Sequence, residues 1–333
     1  MALHHTPPKP PVHQALLTRR RVAGGALAAG AALAWARWAQ AAETLLVPPP
    51  YRQQDLEWWD NHRQRAVPVR VYAPLNESVR AHPLVVFSHG IGGSRTGYGY
   101  LGRYLASQGV ASLHLQHVGS DRQVWMGNPF QVVSRLQSAA QEAEAIDRVR
   151  DLKFALDEAL DGRAGLVPDA QRIIAAGHSY GANTALLASG AEVLRQGQRL
   201  SLRDERIRAA VLLSAPPFYG EAALGSIVGG IALPSLHITT TDDVIRIPGF
   251  FSGLEDRLKV FEAMGSAQKW LAVFQGGSHS HFVGRRGEGD PLLQATRELV
   301  LAFVQQVFDG NAQGLQTWPQ RHAGLLAQFA AKG

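Results

Sequence analysis

The 333-residue chain contains no cysteine. That excludes a disulfide framework and a thiol nucleophile, and leaves any exported form dependent on its core. No His-Glu-x-x-His helix is present, and His279-Ser280-His281 would send its imidazoles to opposite faces of an extended segment. We therefore expect neither a catalytic metal nor a cofactor. The glycine-rich stretch at residues 90–93 runs into Ser94-Arg95-Thr96 and lacks a Gly-Lys-Ser/Thr ending, so it is not a Walker phosphate loop. Acidic residues are missing from the first 41 positions, which hold Lys9, Arg19, Arg20, Arg21 and Arg37. With those five set aside, 28 basic residues face 27 acidic ones, so the formal charge of +6 belongs to the leader. It gives no reason to expect a nucleic-acid partner.

What the leader does have is the layout of an export signal. Thr18-Arg19-Arg20-Arg21 precedes a mildly apolar Ala/Gly/Leu run over residues 22–36, and Ala39-Gln40-Ala41 offers a small-x-small cleavage site. Paired arginines before a weakly hydrophobic run resemble a twin-arginine signal, which exports folded proteins and implies a periplasmic or secreted location. The run is short and Ala/Gly-rich for a membrane span, so no stable span is expected after cleavage; the alternative is a retained amphipathic anchor.

The remaining residues, 42–333, are 46% apolar along with the rest of the chain, enough for one large α/β domain. Residues 65–72 alternate and are rich in valine, as a half-buried strand does; residues 84–87 are continuously apolar, as a fully buried one does. Helices are expected over 97–108, 134–160 and from Asp290-Pro291 to about Phe308, with Asp as N-cap and Pro at the first position. Residues 246–264 read as loop and helix, a partial lid, and the Ala/Leu-rich tail 311–333 as a docking helix. The paired Trp58 and Trp59 read as core anchors or a pocket rim.

Residues 173–176 form an apolar run that ends in Gly177-His178-Ser179-Tyr180-Gly181, followed by a small-residue helical segment. Gly-x-Ser-x-Gly between a buried strand and a helix is the turn that lifts a serine hydroxyl clear of a sheet. Its glycines let strand and helix approach closely, and the helix directs its positive end at the serine. Upstream, a buried strand ends in Ser88-His89-Gly90-Ile91-Gly92-Gly93, whose backbone N–H groups no large side chain obstructs. Such a loop suits an oxyanion site. The expected donors are the amides of Ile91, with Gly92 the alternative, and Tyr180.

Downstream, Thr239-Thr240-Thr241-Asp242-Asp243 places an acid just after a strand, with Asp242 preferred by spacing and Asp243 the runner-up. A last strand over 269–275 leads into Gly276-Gly277-Ser278-His279-Ser280-His281, a loop that lets an imidazole swing over the nucleophile. Ser179, Asp242 and His279 thus occur in the chain order of the α/β-hydrolase triad, each just after a strand. His117, ending another strand, reads as a structural hydrogen-bonding group more than a catalytic one. The loop after it, with Trp125, Met126 and Phe130, can line an acyl or alcohol pocket at the carboxyl edge of the sheet.

These motifs, with Trp59-Asp60, residues 63–69 and Leu115-Gln116-His117-Val118-Gly119-Ser120-Asp121-Arg122, resemble the plasma-type platelet-activating-factor acetylhydrolases and the related bacterial predicted dienelactone hydrolases. The likeness covers about residues 55–308. It implies an α/β-hydrolase fold with a mostly parallel sheet, and a Ser-His-Asp esterase without cofactor acting on a small-molecule or lipid-like ester. In that family's last motif the catalytic histidine is followed by two residues and then phenylalanine, which implies His279 over His281. Thr239 stands where many relatives carry glycine before the acid. Dienelactone hydrolases proper use cysteine, so the likeness to them implies kinship and not substrate.

Overall fold

The computed structural model describes residues 51–75, 81–195, 198–218, 223–247 and 250–332. The expected export signal lies outside them. The described residues open with β1 (Tyr51–Asp60) and β2 (Arg65–Pro74), an antiparallel hairpin. The Asp60 carboxylate accepts the His62 and Arg63 amides and closes its turn. Then come β3 (His82–Ser88), α1 (Gly99–Ser107), β4 (Ala111–Leu115), a 3-10 turn (Arg122–Trp125), α2 (Pro129–Ala139) and α3 (Glu142–Leu160). Next follow β5 (Pro168–His178), α4 (Tyr180–Ala188), the small hairpin β6 (Glu192–Arg195) and β7 (Gln198–Ser201), β8 (Ile207–Leu213) and α5 (Leu224–Val228). The last third holds β9 (Ser235–Asp242), the hairpin β10 (Ile245–Ile247) and β11 (Phe250–Ser252), α6 (Leu254–Ala263), β12 (Lys269–Ser278), α7 (Pro291–Asp309), α8 (Gln313–Arg321) and β13 (Leu326–Lys332).

Nine of the described strands form one sheet in the order β1-β2-β4-β3-β5-β8-β9-β12-β13. The six strands from β4 to β12 run parallel, and antiparallel partners flank them at both edges. This is an α/β-hydrolase-type sheet with helices on both faces. Its central strands are buried on both sides, which is why their sequences are continuous apolar runs. Alternate residues serve opposite layers. Leu84, Val86, Ile173 and Ala175 pack with α3 and α4, whereas Val85, Phe87, Ile174 and Ala176 pack with α1 and α7.

Three expectations change. The helix expected over 134–160 is two helices. No glycine or proline marks the break; the packing differs, since α3 buries Val149, Leu152 and Leu156 against the sheet while α2 buries only Ala139. The tail is not one helix. It docks α8 through Leu315 and Trp318, whose indole donates to the Ala295 carbonyl, and then pairs β13 antiparallel with β12. Its Ala/Leu composition favours helix, but the open edge of β12 offers a row of unpaired backbone groups, and pairing wins. The paired tryptophans, read as core anchors or a pocket rim, divide on the opposite edge strand, residues 51–60, where Trp58 packs against the core and Trp59 is exposed.

Candidate active site

Ser179 sits between β5 and α4 with φ 54° and ψ −123°. A positive φ at a residue with a Cβ costs on the order of 1–3 kcal/mol and persists only where the surroundings impose it. They do so here. A Cβ at Gly177 would lie 2.1 Å from the Gly181 carbonyl oxygen, and one at Gly181 would lie 1.9 Å from the Ser88 carbonyl oxygen. Both flanking positions therefore admit only glycine. The Ser179 amide, in turn, donates to the Leu213 carbonyl at 2.9 Å.

The loop after β12 brings His279 to the serine. Its Nε2 lies 2.8 Å from Ser179 Oγ, and its Nδ1 lies 2.7 Å from Asp243 Oδ1. The carboxylate can only accept, so Nδ1 carries the hydrogen and Nε2 is left to accept from the serine hydroxyl. Here the sequence expectation is corrected, because the acid against His279 is Asp243 and not Asp242. Residues 239–241 read as a small polar turn, but β-branched threonines extend the strand, and β9 runs through Asp242, which pairs with Ser278. Asp242 is exposed, with Thr241 as its hydrogen-bond partner. The turn begins one residue later, and Asp243 points the opposite way, fully buried.

Two residues that spacing does not mark complete the acid's surroundings. Thr239 Oγ1 donates to Asp243 Oδ2 at 2.6 Å, and the buried Arg257 meets the carboxylate at 3.2 Å. Burial pushes the Asp243 carboxyl up, but the His279 hydrogen bond and the His279 and Arg257 charges outweigh it and hold the group below its usual range. Thr239 thus anchors the acid.

The glycine-rich loop after β3 is pinned from below. Arg148, buried on α3, donates to the His89 carbonyl, to Ser120 Oγ at 2.8 Å and to Thr184 Oγ1 at 2.9 Å, with its guanidinium over the Tyr180 ring. The Gly90 carbonyl accepts from the Gly93 amide at 3.0 Å and from His89 Nδ1 at 2.7 Å. Across a trans peptide, that turns the Ile91 N–H the other way, and it has no hydrogen-bond partner among the described residues. Gly92 is occupied, its amide donating to the Ser120 carbonyl at 2.8 Å. Tyr180 is the first residue of α4, at the positive end of the helix.

A cleft of about 550 Å³ opens over Ser179, with Ile91, Tyr180 and His279 in its lining. Its walls are largely apolar, from Trp125, Leu136, Ala140, Pro216, Ile245 and Val283. Trp125 lines it, while Met126 and Phe130 are exposed and do not. The described part of the stretch 246–264, expected as a partial lid, belongs to the β10–β11 hairpin and α6 and contributes no residue to the cleft lining; Ile245, just before it, does. His281 is held elsewhere, Nε2 to Asp290 Oδ1 at 3.0 Å. His117 is buried between Asp151 and Ser88. Among the described residues no cluster of His, Cys, Asp and Glu could hold a metal ion, and no helix is long and apolar enough to cross a membrane.

Residues 61–125 match the family model of platelet-activating factor acetylhydrolase, isoform II. No curated protein matches the chain. The acetylhydrolase match marks the chain as hydrolase-like. It spans β2 to the 3-10 turn, and so includes the loop that presents Ile91. The segments holding Ser179, Asp243 and His279 lie beyond it, and what links those three is their geometry.

Proposed function

We propose that the protein is a serine esterase that cleaves carboxylic esters through an acyl-enzyme. The observation that carries this reading is one continuous hydrogen-bonded line, Ser179 to His279 to Asp243, at the floor of an apolar cleft. Ser179 Oγ attacks the ester carbonyl while His279 Nε2 takes its proton. The carbonyl oxygen becomes an oxyanion, and the N–H groups of Ile91 and Tyr180 are the donors assigned to it. Asp243 keeps the imidazole in the required tautomer and stabilises its charged form. The proton then passes to the departing alkoxide, leaving the acyl group on Ser179. Water, deprotonated by the same imidazole, releases the acid and restores the serine.

Export through residues 1–41 would place the mature domain in the periplasm or outside the cell, a further part of this proposal. The acyl-enzyme chemistry also serves lipases, polyester hydrolases and acyltransferases. A series of p-nitrophenyl esters of rising chain length, with amide and polyester controls, separates these, since chain-length preference reports cleft depth. The assignment itself is tested by fluorophosphonate labelling. Labelling of the wild type that disappears in Ser179→Ala supports it, and unchanged labelling or turnover in that variant overturns it. His279→Ala should lose far more turnover than His281→Ala.

A further inference from the structure

The histidine inside the Gly-x-Ser-x-Gly turn is not a spacer. His178 is buried beside the nucleophile, its ring 4.8 Å from that of His279. Its Nε2 lies 2.8 Å from the His279 carbonyl oxygen, and its Nδ1 lies 2.8 Å from the Tyr98 hydroxyl. A carbonyl only accepts, so Nε2 must carry the hydrogen. Nδ1 then has a lone pair and takes the Tyr98 proton. The phenol oxygen keeps lone pairs of its own, and the Gly90 amide reaches it at 3.3 Å. Every direction along this line is determined: Gly90 N–H to Tyr98 O–H to His178 Nδ1, then His178 Nε2–H to the His279 carbonyl.

The line joins the three loops that the proposed chemistry needs. Gly90 precedes Ile91, whose amide is an assigned oxyanion donor. His178 precedes the nucleophile. His279 is the assigned base, and holding its carbonyl orients the backbone from which its ring reaches Ser179. Tyr98 is built for the task at some cost. It begins α1 with a left-handed backbone, φ 60°, which a bulky residue rarely adopts. Its amide donates to the Val283 carbonyl, four residues past His279, at 3.2 Å. Burial, and then the neighbouring His279 charge, hold His178 down to about 3, so the ring stays neutral across the working range.

We propose that Tyr98 and His178 are positioning residues that lock the oxyanion loop, the nucleophile turn and the histidine loop into one register. This rests on the triad reading above. The test uses Tyr98→Phe, His178→Gln and His178→Leu, with Ser179→Ala as reference. Steady-state esterase kinetics, thermal melts and ¹⁵N NMR of the histidine rings are recorded on each. Tyr98→Phe should lower kcat about tenfold to a hundredfold through a small misplacement of the reacting groups, with KM little changed. The His178 ring should keep its Nε2–H tautomer, which the His279 carbonyl fixes, while the Nδ1 resonance shifts with the loss of the phenol hydrogen bond. Glutamine can still donate toward the His279 carbonyl, so His178→Gln should keep more kcat than His178→Leu at comparable melting temperature. The proposal fails if Tyr98→Phe and His178→Leu keep wild-type kcat, if losses only track the folded fraction, or if glutamine rescues nothing. Full activity in Tyr98→Phe beside an inert Ser179→Ala would remove this proposal alone. An active Ser179→Ala would remove the triad reading and this proposal together.

Discussion

Among the described residues two Ser–His–Asp lines stand out, and one of them faces a cleft. In the second, Ser88 Oγ lies 3.0 Å from His117 Nε2, and His117 Nδ1 lies 3.0 Å from Asp151 Oδ2. Bond for bond it copies Ser179–His279–Asp243, and the distances differ little. The differences lie around the bonds. Ser88 is the last residue of an ordinary strand, with no exposure, and the His117 and Asp151 side chains have none either. The His279 side chain keeps 18% of its surface accessible. Ser88 has no helix N-terminus behind it, whereas Ser179 has α4. The acids also differ in company. Asp151 is bound by Arg63 and Arg65, which tie the β1–β2 hairpin to α3, and Asp243 is bound by Arg257. A hydrogen-bonded serine, histidine and carboxylate is thus a common way to satisfy buried polar groups. Access, strain at the serine and aligned amides separate a reactive line from a structural one.

Breaking each line should therefore give opposite phenotypes. Ser179→Ala should lower kcat by on the order of 10⁶, as loss of a triad nucleophile does, with an unchanged melting temperature. Ser88→Ala should leave kcat within about tenfold of wild type but cost about 1–3 kcal/mol of stability, because His117 Nε2 loses its donor inside the core. Ester turnover and urea unfolding on both variants decide this, and a dead Ser88→Ala that folds normally would erase the distinction. At the acids, Asp243→Asn should cost about 10⁴ in kcat. Asp151→Asn should cost about 3–5 kcal/mol of stability, leaving buried arginine charge poorly compensated.

Acid should weaken the structural line through unfolding, because its histidine is buried neutral. Burial holds His117 down to about 3, and His114 and His237 likewise. Each takes up its proton on unfolding at the ordinary value of about 6.5. Their contribution to stability is therefore complete above about pH 6.5 and declines as pH falls toward 3. Asp151 adds a second loss. Burial raises its pKa, but His117 and Arg65 outweigh that and keep it below the usual value, so what it contributes disappears only below about pH 4. The melting temperature should be flat above pH 7 and fall steadily from pH 6 to pH 4. A flat profile down to pH 4 would mean that these imidazoles are not buried neutral.

Much of the site was legible because strands, turns and glycines write local rules into sequence. The apolar run of β5, the two glycines around Ser179 and the glycine-rich loop after β3 each follow from short-range sterics. Asp290-Pro291 begins α7 as capping chemistry requires, with the carboxylate on the Leu292 and Leu293 amides. The acid was missed by one residue because three threonines serve equally as turn or strand, and the pairing of β9 with β12 decides it. Arg257, Arg148 and Tyr98 left no signal, since each acts on a loop far away in sequence. The tail was misread because edge pairing outweighs helix propensity, and propensity is all that composition carries.

The smallest expected effect belongs to Asp242, and it tests the register directly. If β9 runs through residue 242, the Asp242 carboxylate stays in solvent with Thr241 and makes no contact with His279. Asp242→Asn should then change kcat and melting temperature no more than an ordinary surface substitution, within about 0.5 kcal/mol. A one-residue slip would exchange the two acids, because neighbouring residues of a strand face opposite sides. In that case Asp242→Asn would carry the large loss of turnover and Asp243→Asn the small one. The pair of variants therefore reads the register of the strand through catalysis.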